Sequence, residues 1–386
     1  MSRPLVSRSP DLKQLEDEGY DFDITANQLL LRVPYATSGR VVAGGILVSE
    51  LTTAGDRTAA PGNHVVHFIG TAPDDLPCDE SGRSLDWLIN QRGPVDLGGG
   101  LVASCSFSHK PNPTYPNYYD KMTTYADMLL APAQVLDRNA RVRTFPPIPT
   151  DEAESVFRYL DSASSRSRIG AVSMKLRLPK VVIVGTGGTG SYILDAVAKT
   201  EVAEIHLYDG DVLLTHNAFR APGAASIDEL SKAPKKVDYF KSKIDPMRRG
   251  VFAHACHVDS SNINELRDAS FVFLALDGGP AKSFIVAKLR EFSVPFVDTG
   301  MGIYQVRDSV AGIVRTTFGG TEGSDWSVSD EELDEYDQNI QIVELNMLNA
   351  ALAVIRWKKA FGFYNDLEKE SSSLYTIDGN HIVNET

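Results

Sequence analysis

The stretch that decides the fold is KVVIVGTGGTGSYILDAVAK, residues 180–199. It begins with an apolar run, Val181 to Val184, typical of a buried strand, and it ends with the apolar spacing of a helix. Between the two stands GTGGTG, residues 185–190, a GxGxxG pattern in the strand–turn–helix context where such a turn binds phosphate. The stretch predicts a nucleotide site in a parallel α/β sheet; the competing interpretation is a glycine-rich turn that binds no ligand.

Each glycine of this turn has its own predicted purpose. Gly185 permits the tight turn, Gly187 lets a phosphate approach the backbone, and Gly190 lets the helix pack closely on the strand. Gly188 belongs to the same turn, where the helix N-terminus offers N–H donors. Asp209 follows Gly190 by 19 residues and ends the next apolar run, where a carboxylate accepts hydrogen bonds from a ribose hydroxyl.

The pattern around the turn predicts an α/β fold, a Rossmann-like doubly wound and mainly parallel sheet, with a smaller β-rich domain before it. We expect the β-rich domain at residues 1–145, a linker with a helical segment at 146–177, and the α/β domain at 178–386. The predicted strands of the α/β domain are 180–184, 203–209, 251–259, 270–276, 294–300 and 311–317, its predicted helices are 190–200, 235–247, 280–292 and 340–361, and a hairpin is expected at 372–384.

The N-terminal domain reads as strands separated by glycine, proline and aspartate clusters. Its predicted strands are 28–36, 40–51, 64–70 and 101–108, and its predicted helices are 84–91 and 125–136. Three prolines follow in TFPPIPTDEAE, and Thr150 is a candidate N-cap with Asp151 and Glu152 after it, so a further helix is expected at 151–160.

Composition narrows the class of protein. The 386 residues are 42% hydrophobic and 23% charged, with a net charge of −13, which disfavours nucleic acid as a partner. The sequence contains no apolar run long enough for a membrane helix, and its start resembles no signal peptide. The three cysteines form no CxxC pair and are expected as reduced thiols. We therefore expect a soluble cytoplasmic protein with no membrane partner.

The segment after the predicted ribose-binding acid distinguishes between nucleotides. It reads DGDVLLTHNAFR and places Asp209, Asp211, Asn217 and Arg220 within twelve residues. A dehydrogenase does not need this set, whereas a triphosphate site does, because Arg220 can neutralise phosphate oxygens with its planar fork.

Two further charges complete the predicted triphosphate site. Lys235 and Lys236, in APKKVDYF, are both candidates for a lysine that adds a point charge at the phosphates. Asp277 ends a buried run and opens the loop DGGPAK, so we expect its carboxylate in the crevice where the strand order reverses, as a ligand of Mg²⁺.

GTGGTG, DGDVLLTHNAFR, PKKVD and LALDGGPAK together resemble the adenylyltransferase domain of the ubiquitin-activating superfamily, the ThiF, MoeB and HesA-like proteins, in a bacterial type with an N-terminal domain of unknown function. The resemblance covers about residue 160 to the C-terminus. It implies an enzyme that uses MgATP to adenylate the C-terminal glycine carboxylate of a ubiquitin-like protein, with release of pyrophosphate. It also implies a homodimer, and proteins of this type accompany ubiquitin-like, conjugating-enzyme-like and metalloprotease partners.

The resemblance also assigns residues. Asp209, Asp211, Asn217 and Arg220 match the family order, although Ala221 replaces the glutamine that usually follows the arginine. It favours Lys236 as the phosphate lysine and Asp277 as the metal acid. It further implies an arginine that reaches the phosphates of the partner subunit from a segment before the glycine turn. We choose Arg166 over Arg168 for this residue.

The chain departs from the family where a cysteine usually accepts the activated carboxyl. No cysteine follows Cys256, which we expect as a small buried residue of a central strand. Three routes stay open: transfer to a separate acceptor, which we favour; an oxyester on Ser or Thr; or a thioester on Cys78, whose neighbouring acids raise its thiol pKa. The acidic segment 322–337 is either a crossover that orders on partner binding or a solvated spacer.

Two groups of residues allow more than one interpretation. Tyrosines and charges at 109–125 suit either a protein-binding surface or core packing. His206, His254 and His257 are expected to be structural, and His216 is worth testing because it precedes Asn217. The rival functions are an NAD-dependent oxidoreductase, which shares the glycine turn and Asp209, and a catalytically silent nucleotide-binding scaffold.

Overall fold

The computed structural model describes residues 3–72, 74–111, 114–153, 155–167, 169–320 and 340–385. The predicted acidic segment 322–337 and Arg168 lie outside these residues. The chain divides into two compact units, Met1–Ile148 and Pro149–Thr386. No helix among the described residues has both the length and the apolar character needed to cross a membrane.

The first unit is an antiparallel sheet with helices against it. Its helices are α1 (Arg3–Arg8), α2 (Pro10–Asp17) and α3 (Tyr118–Leu136), and its strands are β1 (Phe22–Thr25), β2 (Gln28–Ala36), β3 (Val42–Glu50), β4 (Thr53–Ala54), β5 (Arg57–Thr58), β6 (Val65–Ile69), β7 (Ile89–Asp96) and β8 (Val102–Ser108). The main sheet has the order β1-β2-β3-β6-β8-β7, and β4 and β5 form a small separate hairpin. The four predicted strands are all present.

The helix predicted at 84–91 is wrong. Residues 85–88 form turns, and Ile89 begins β7, where it lies opposite Phe107 of β8. Leu85 and Leu88 are still buried, so the apolar spacing that suggested a helix reflects a turn that inserts two leucines into the core. Pairing with β8 decides the conformation from Ile89 onward.

The tyrosines of segment 109–125 belong to the core of the first unit. Tyr115, Tyr118 and Tyr125 are buried, and so is Lys121. Asn117 caps α3 by accepting a hydrogen bond from the Asp120 amide. The core-packing interpretation is therefore confirmed for Tyr115, Tyr118 and Tyr125, and protein binding by this segment stays a prediction.

The second unit contains a larger, mostly parallel sheet with helices on both faces. Its helices are α4 (Ser162–Arg166), α5 (Gly170–Ser173), α6 (Gly188–Val197), α7 (Thr215–Ala218), α8 (Ile227–Ser231), α9 (Lys236–Ile244), α10 (Pro280–Phe292) and α11 (Val343–Ala360), and its strands are β9 (Lys180–Val184), β10 (Glu204–Tyr208), β11 (Val251–His254), β12 (Phe271–Leu274), β13 (Phe296–Val306), β14 (Ser309–Gly319), β15 (Ser372–Thr376) and β16 (His381–Glu385). Short 3₁₀ turns lie at Met174–Leu176 and Ile263–Leu266.

The strand order of this sheet places a ligand site at its centre. The order is β11-β10-β9-β12-β13-β14-β15-β16, parallel from β11 to β13 and antiparallel beyond. From β9 the chain moves outward to β10 and β11 and then returns to the other side of β9. Ligands of open α/β sheets bind at such a switch point. The predicted doubly wound, mainly parallel fold is confirmed.

Successive side chains of β9 point to opposite faces of the sheet, and helices cover both faces. Val181 and Ile183 pack toward α6 and α11, whereas Val182 and Val184 pack toward α10. Parallel strands covered on both faces read as continuous apolar runs. The run at residues 181–184 was therefore a reliable strand prediction.

The helix predicted at 151–160 is also wrong. Thr150 does not act as an N-cap; its hydroxyl donates to the Phe157 carbonyl at 2.5 Å. Arg249 donates to the carbonyls of Thr150 and Phe157, so a side chain distant in sequence, rather than a helical amide, is their partner. The helix begins later, at α4, where the Asp161 carboxylate accepts from the amides of residues 163 and 164.

The expected burial of Cys256 is a third correction. β11 ends at His254 and is the edge strand of the sheet, so Cys256 lies beyond it and is exposed. Its sulfur accepts a hydrogen bond from the Asn262 amide group at 3.6 Å. Cys78, in contrast, is buried, and burial together with nearby acids, Asp79 first, raises the pKa of its thiol.

Candidate active site

A cavity of about 610 Å³ opens at the carboxyl ends of β9, β10 and β12. Its wall includes most of the residues that the sequence singled out as nucleotide ligands, from four separate segments. These are Gly185, Gly187, Gly188, Asp209, Asp211, Arg220, Lys236 and Asp277.

Three of the four glycines of the turn show how their surroundings differ. Gly185 has a φ of +87°, and a Cβ there would lie 2.4 Å from the Ala275 carbonyl oxygen. A Cβ on Gly190 would lie 1.9 Å from the Gly185 oxygen, whereas a Cβ on Gly187 would meet no atom within 4 Å. Gly185 and Gly190 are therefore needed for backbone geometry, and the space at Gly187 is open to the cavity.

Asp209 fastens the glycine turn to the end of β10. Its Oδ2 accepts from the Thr186 amide at 2.7 Å and from the Thr186 hydroxyl at 3.0 Å. Its Oδ1 accepts from the Asp211 amide at 2.9 Å. This carboxylate is buried and organises the turn, and its contact with a ribose stays a prediction.

Lys236 is the lysine that the structure brings to the cavity. It begins α9, and its Nζ lies 2.7 Å from Asp211 Oδ2 and 4.0 Å from Asp209 Oδ2. The hydrogen bond from Lys236 lowers the pKa of the Asp211 carboxyl. Lys235 instead donates to the Gly210 carbonyl at 2.5 Å.

Arg220 and Asn217 carry buried donors that suit an anion. Among the described residues, Arg220 Nε and Asn217 Nδ2 have no hydrogen-bond acceptor. Burial lowers the pKa of the Arg220 guanidinium, and the charge of Asp277 opposes that shift. An unsatisfied buried donor costs about 1–3 kcal/mol, so an anionic ligand at Arg220 would recover part of that free energy. Asn217 itself is buried and does not line the cavity, and its Oδ1 accepts from the Leu214 amide.

Asp277 lies in the loop between β12 and α10 and faces the cavity. The described residues contain no group of three His, Cys, Asp or Glu side chains that could hold a metal together. Mg²⁺ commonly takes one or two carboxylates and completes its shell with phosphate oxygens and water. A single carboxylate beside a phosphate site therefore fits Mg²⁺ shared with a nucleotide.

Sequence reasoning missed a charged cluster on the far wall of the cavity. Asp298 of β13 is fully buried, with Oδ1 2.5 Å from Lys282 Nζ and Oδ2 2.8 Å from Arg315 Nη2. Lys282 and Arg315 line the cavity. The sequence predicts only strands for the segments that carry Asp298 and Arg315. A signal was available, because an acid inside the apolar run VPFVDTG needs a buried partner.

α11 also contributes polar residues that the apolar pattern concealed. Asn346 Oδ1 accepts from the Thr189 hydroxyl at 2.8 Å. Asn349 donates to the Gly300 carbonyl at 3.1 Å. The spacing of these two asparagines in an apolar helix is the signal that could have revealed them. They tie α11 to the glycine turn and to β13.

Arg166 and two of the histidines lie outside the cavity lining, whereas His257 belongs to it. Arg166 is exposed at the end of α4, and it is not part of the cavity lining. His206 and His254 hydrogen bond to each other at 3.0 Å, with their rings stacked. His257, expected to be structural, lines the cavity 3.8 Å from Asp211.

Comparison with known proteins gives two adjoining family matches. Residues 165–315 match the ThiF family. Residues 10–162 match DUF6791, a domain of unknown function. A comparison with curated proteins finds no match.

Several solved structures match part of this chain. A crystal structure of E. coli MccB with ATP is 19% identical over 56% of this chain and 65% of its own, with a TM-score of 0.44. A structure of PaaA is 16% identical over 56% of this chain and 75% of its own, also at 0.44. E. coli tRNA N6-threonylcarbamoyladenosine dehydratase, TcdA, with ATP is 20% identical over 51% of this chain and 91% of its own, at 0.40.

Proposed function

From the premise that residues 165–315 are a ThiF-family domain, we propose that this protein uses MgATP to adenylate the C-terminal glycine carboxylate of a ubiquitin-like protein. The observation that carries the proposal is the convergence of an open glycine turn, two cations and an acid at one cavity. Arg220, Lys236 and Asp277 all line it with Gly187.

The cavity residues suit a reaction between two anions. The substrate carboxylate is already ionised at pH 7, so no general base is needed. Its oxygen forms a bond to the α-phosphorus of ATP while the bond to the bridging oxygen breaks, and pyrophosphate leaves with that electron pair. Arg220 and Lys236 hold phosphate oxygens and reduce the repulsion that the nucleophile meets. Mg²⁺ held by Asp277 would neutralise further phosphate charge.

The fate of the adenylate follows from the cysteines. Cys78 is buried, and Cys256 is exposed at the edge strand, so neither occupies the position where family members carry their acceptor. We therefore favour transfer to a separate acceptor such as a conjugating-enzyme-like protein. We propose that the first unit binds this acceptor. We also propose a homodimer in which Arg166 serves the partner's site.

The two rivals differ from the proposal in different ways. An NAD-dependent oxidoreductase would use the glycine turn and Asp209 but has no use for Arg220, Lys236 and Asp277 together. A silent scaffold would bind nucleotide without turnover. Both rivals predict a protein that does not catalyse the exchange of pyrophosphate into ATP.

The test is exchange of labelled pyrophosphate into ATP in the presence of ubiquitin-like proteins that end in a free glycine. We expect exchange by the wild-type protein and a loss of at least about 100-fold in Asp277→Asn, because the variant removes a metal ligand. Asp308→Asn, an exposed acid in the turn between β13 and β14, is the matched control and should retain exchange. Absence of exchange with every such protein would favour the scaffold, and NADH binding would favour the oxidoreductase.

A further inference from the structure

The charged cluster formed by Lys282, Asp298 and Arg315 has no part in the reaction described so far. Asp298 is fully buried and contacts both cations. Lys282 is also buried, and its ammonium donates to the Thr299 carbonyl at 3.2 Å. Such a cluster is expensive to bury, and its two cations line a cavity rather than a sealed core.

The strand order assigns this wall to a second substrate. The glycine turn follows β9, the predicted ribose acid follows β10, and the predicted metal acid follows β12, so a nucleotide extends across those three strands. Arg315 lies on β14, three strands from β9, which is about 14 Å at the usual strand spacing. Arg315 therefore lies beyond the phosphates, on the side from which a nucleophile can enter.

Arg315 is placed to contact an incoming anion. Asp298 contacts both Lys282 and Arg315 and fixes the guanidinium through Nη2. The Arg315 side chain keeps 29% of its surface exposed. A guanidinium oriented by a buried acid is well arranged to receive a second carboxylate in the planar, two-point manner typical of arginine.

The wall beside Arg315 leaves room for an extended chain. Gly300 and Gly302 of β13 both line the cavity and present no side chain to it. A Cβ on Gly302 would meet only Ile313 Cγ1, at 3.8 Å, whereas a Cβ on Gly300 would lie 3.0 Å from Arg315 Nη2. The backbone at this point is open beside the guanidinium.

We propose that Arg315, held by Asp298 and Lys282, binds the terminal carboxylate of the protein substrate and positions it for attack on the α-phosphorus. This inference rests on the proposed function. It assigns Arg315 a contact with the nucleophile and gives Asp298 and Lys282 the task of orienting it. The competing outcome is that Arg315 contacts the nucleotide phosphates.

Two peptides that differ at one group provide the test. The first is a synthetic 12-residue peptide that ends in Gly-Gly with a free carboxylate, and the second is the same peptide with a terminal carboxamide. Binding of each is measured to the full-length protein saturated with Mg²⁺ and the non-hydrolysable analogue AMPCPP. We expect the wild-type protein to bind the carboxylate at least about tenfold more tightly, in line with the loss of one charged hydrogen-bonded pair.

Variants of Arg315 show which group recognises the carboxylate. Arg315→Gln should bind the two peptides equally and AMPCPP as well as the wild type does, and Arg315→Lys should keep part of the preference. The control is Arg307→Gln, which changes the same charge at an exposed turn of the same hairpin and should keep all of it. Thermal unfolding confirms that each variant is folded.

The outcomes separate the two proposals. The inference is overturned if the wild-type protein does not prefer the carboxylate peptide, or if Arg315→Gln keeps the full preference. It is also overturned if Arg315→Gln binds AMPCPP tenfold more weakly and still prefers the carboxylate peptide. If pyrophosphate exchange fails in the wild type, the proposed function is wrong. If exchange occurs and the peptide KM of Arg315→Gln equals that of the wild type, only the inference about Arg315 is wrong.

Discussion

At the scale of single residues, the glycine turn shows how one residue type serves two purposes a few positions apart. Gly190 has no room for a Cβ because the Gly185 carbonyl lies against it, and Gly187 has ample room. Steric necessity thus explains Gly190 but not Gly187. The open space at Gly187 belongs to the cavity, so its occupant would be a ligand.

This difference predicts opposite behaviour of two alanine variants. Gly187→Ala should unfold at the wild-type temperature but bind ATP at least about tenfold more weakly, because its methyl group fills space that a phosphate needs. Gly190→Ala should lower the free energy of unfolding by about 2 kcal/mol or more, because α6 must move away from β9. Calorimetry of ATP binding and thermal unfolding of both variants provide the measurements. Equal ATP affinity of Gly187→Ala and the wild type would show that no phosphate lies at the turn.

The sequence predicted those site residues that stand in short local patterns. The turn at 185–190, the run from Asp209 to Arg220, Lys236 and Asp277 all belong to such patterns, and most of their predicted ligand residues line one cavity. Asp298 and Arg315 do not, because their partnership depends on the antiparallel pairing of β13 with β14. A contact made by tertiary structure leaves little local signal.

At the scale of elements, continuous apolar runs predicted strands well, whereas local sequence patterns predicted two helices wrongly. Residues 28–36 were predicted as a strand and form β2. The helix predicted at 84–91 fails because Ile89 pairs with β8, and the one at 151–160 fails because Arg249 binds its carbonyls. In both cases a partner distant in sequence overrides a local preference.

Helix α3 predicts a measurable dependence of stability on pH in the first unit. Its Lys121 is buried and donates to Ser49 Oγ at 2.9 Å and to Asn63 Oδ1 at 3.4 Å. Burial lowers the pKa of this lysine from 10.5 to about 8. Between these values the unfolded chain binds more protons than the folded one, so stability rises with pH. From pH 8 to 9.5 we expect the free energy of unfolding of the first unit to rise by about 1.5 kcal/mol through Lys121, and Lys121→Met should lack this rise.

The three cysteines allow the first unit to be followed separately. In a Cys256→Ser background the remaining thiols, Cys78 and Cys105, are both buried in the first unit, so their reaction with a thiol reagent reports its opening. Burial raises the pKa of Cys105 to about 12. This thiol and the other titrating groups behave alike in wild type and variant, so their contributions to the pH dependence cancel when the two proteins are compared. Lys110→Met, which changes an exposed lysine of the same unit, should behave as wild type. Equal pH slopes for Lys121→Met and wild type would contradict a buried, easily deprotonated lysine.

At the scale of the whole molecule, the cavity contains three of the four residues that the family resemblance assigns to the chemistry. Arg220, Lys236 and Asp277 line it. Arg166 is exposed on α4 in the same unit and lies outside the lining. If Arg166 acts on phosphates, a second subunit is the natural way to bring it there, since in a two-fold dimer each subunit can contribute the same residue to the other subunit's site.

A mixing experiment tests this arrangement. Arg166→Ala and Asp277→Ala should each be nearly inactive in pyrophosphate exchange, and equal mixtures should recover about a quarter of wild-type activity. Half of the dimers formed at random contain one subunit of each kind, and each of these has one intact site, with Asp277 from one subunit and Arg166 from the other. Arg158→Ala, which removes an exposed arginine that binds the Asp245 carbonyl in the same unit, is the control and should stay active alone. Mixed dimers demonstrated by mass spectrometry that regain no activity would place both residues in the same subunit's site or exclude Arg166 from the reaction.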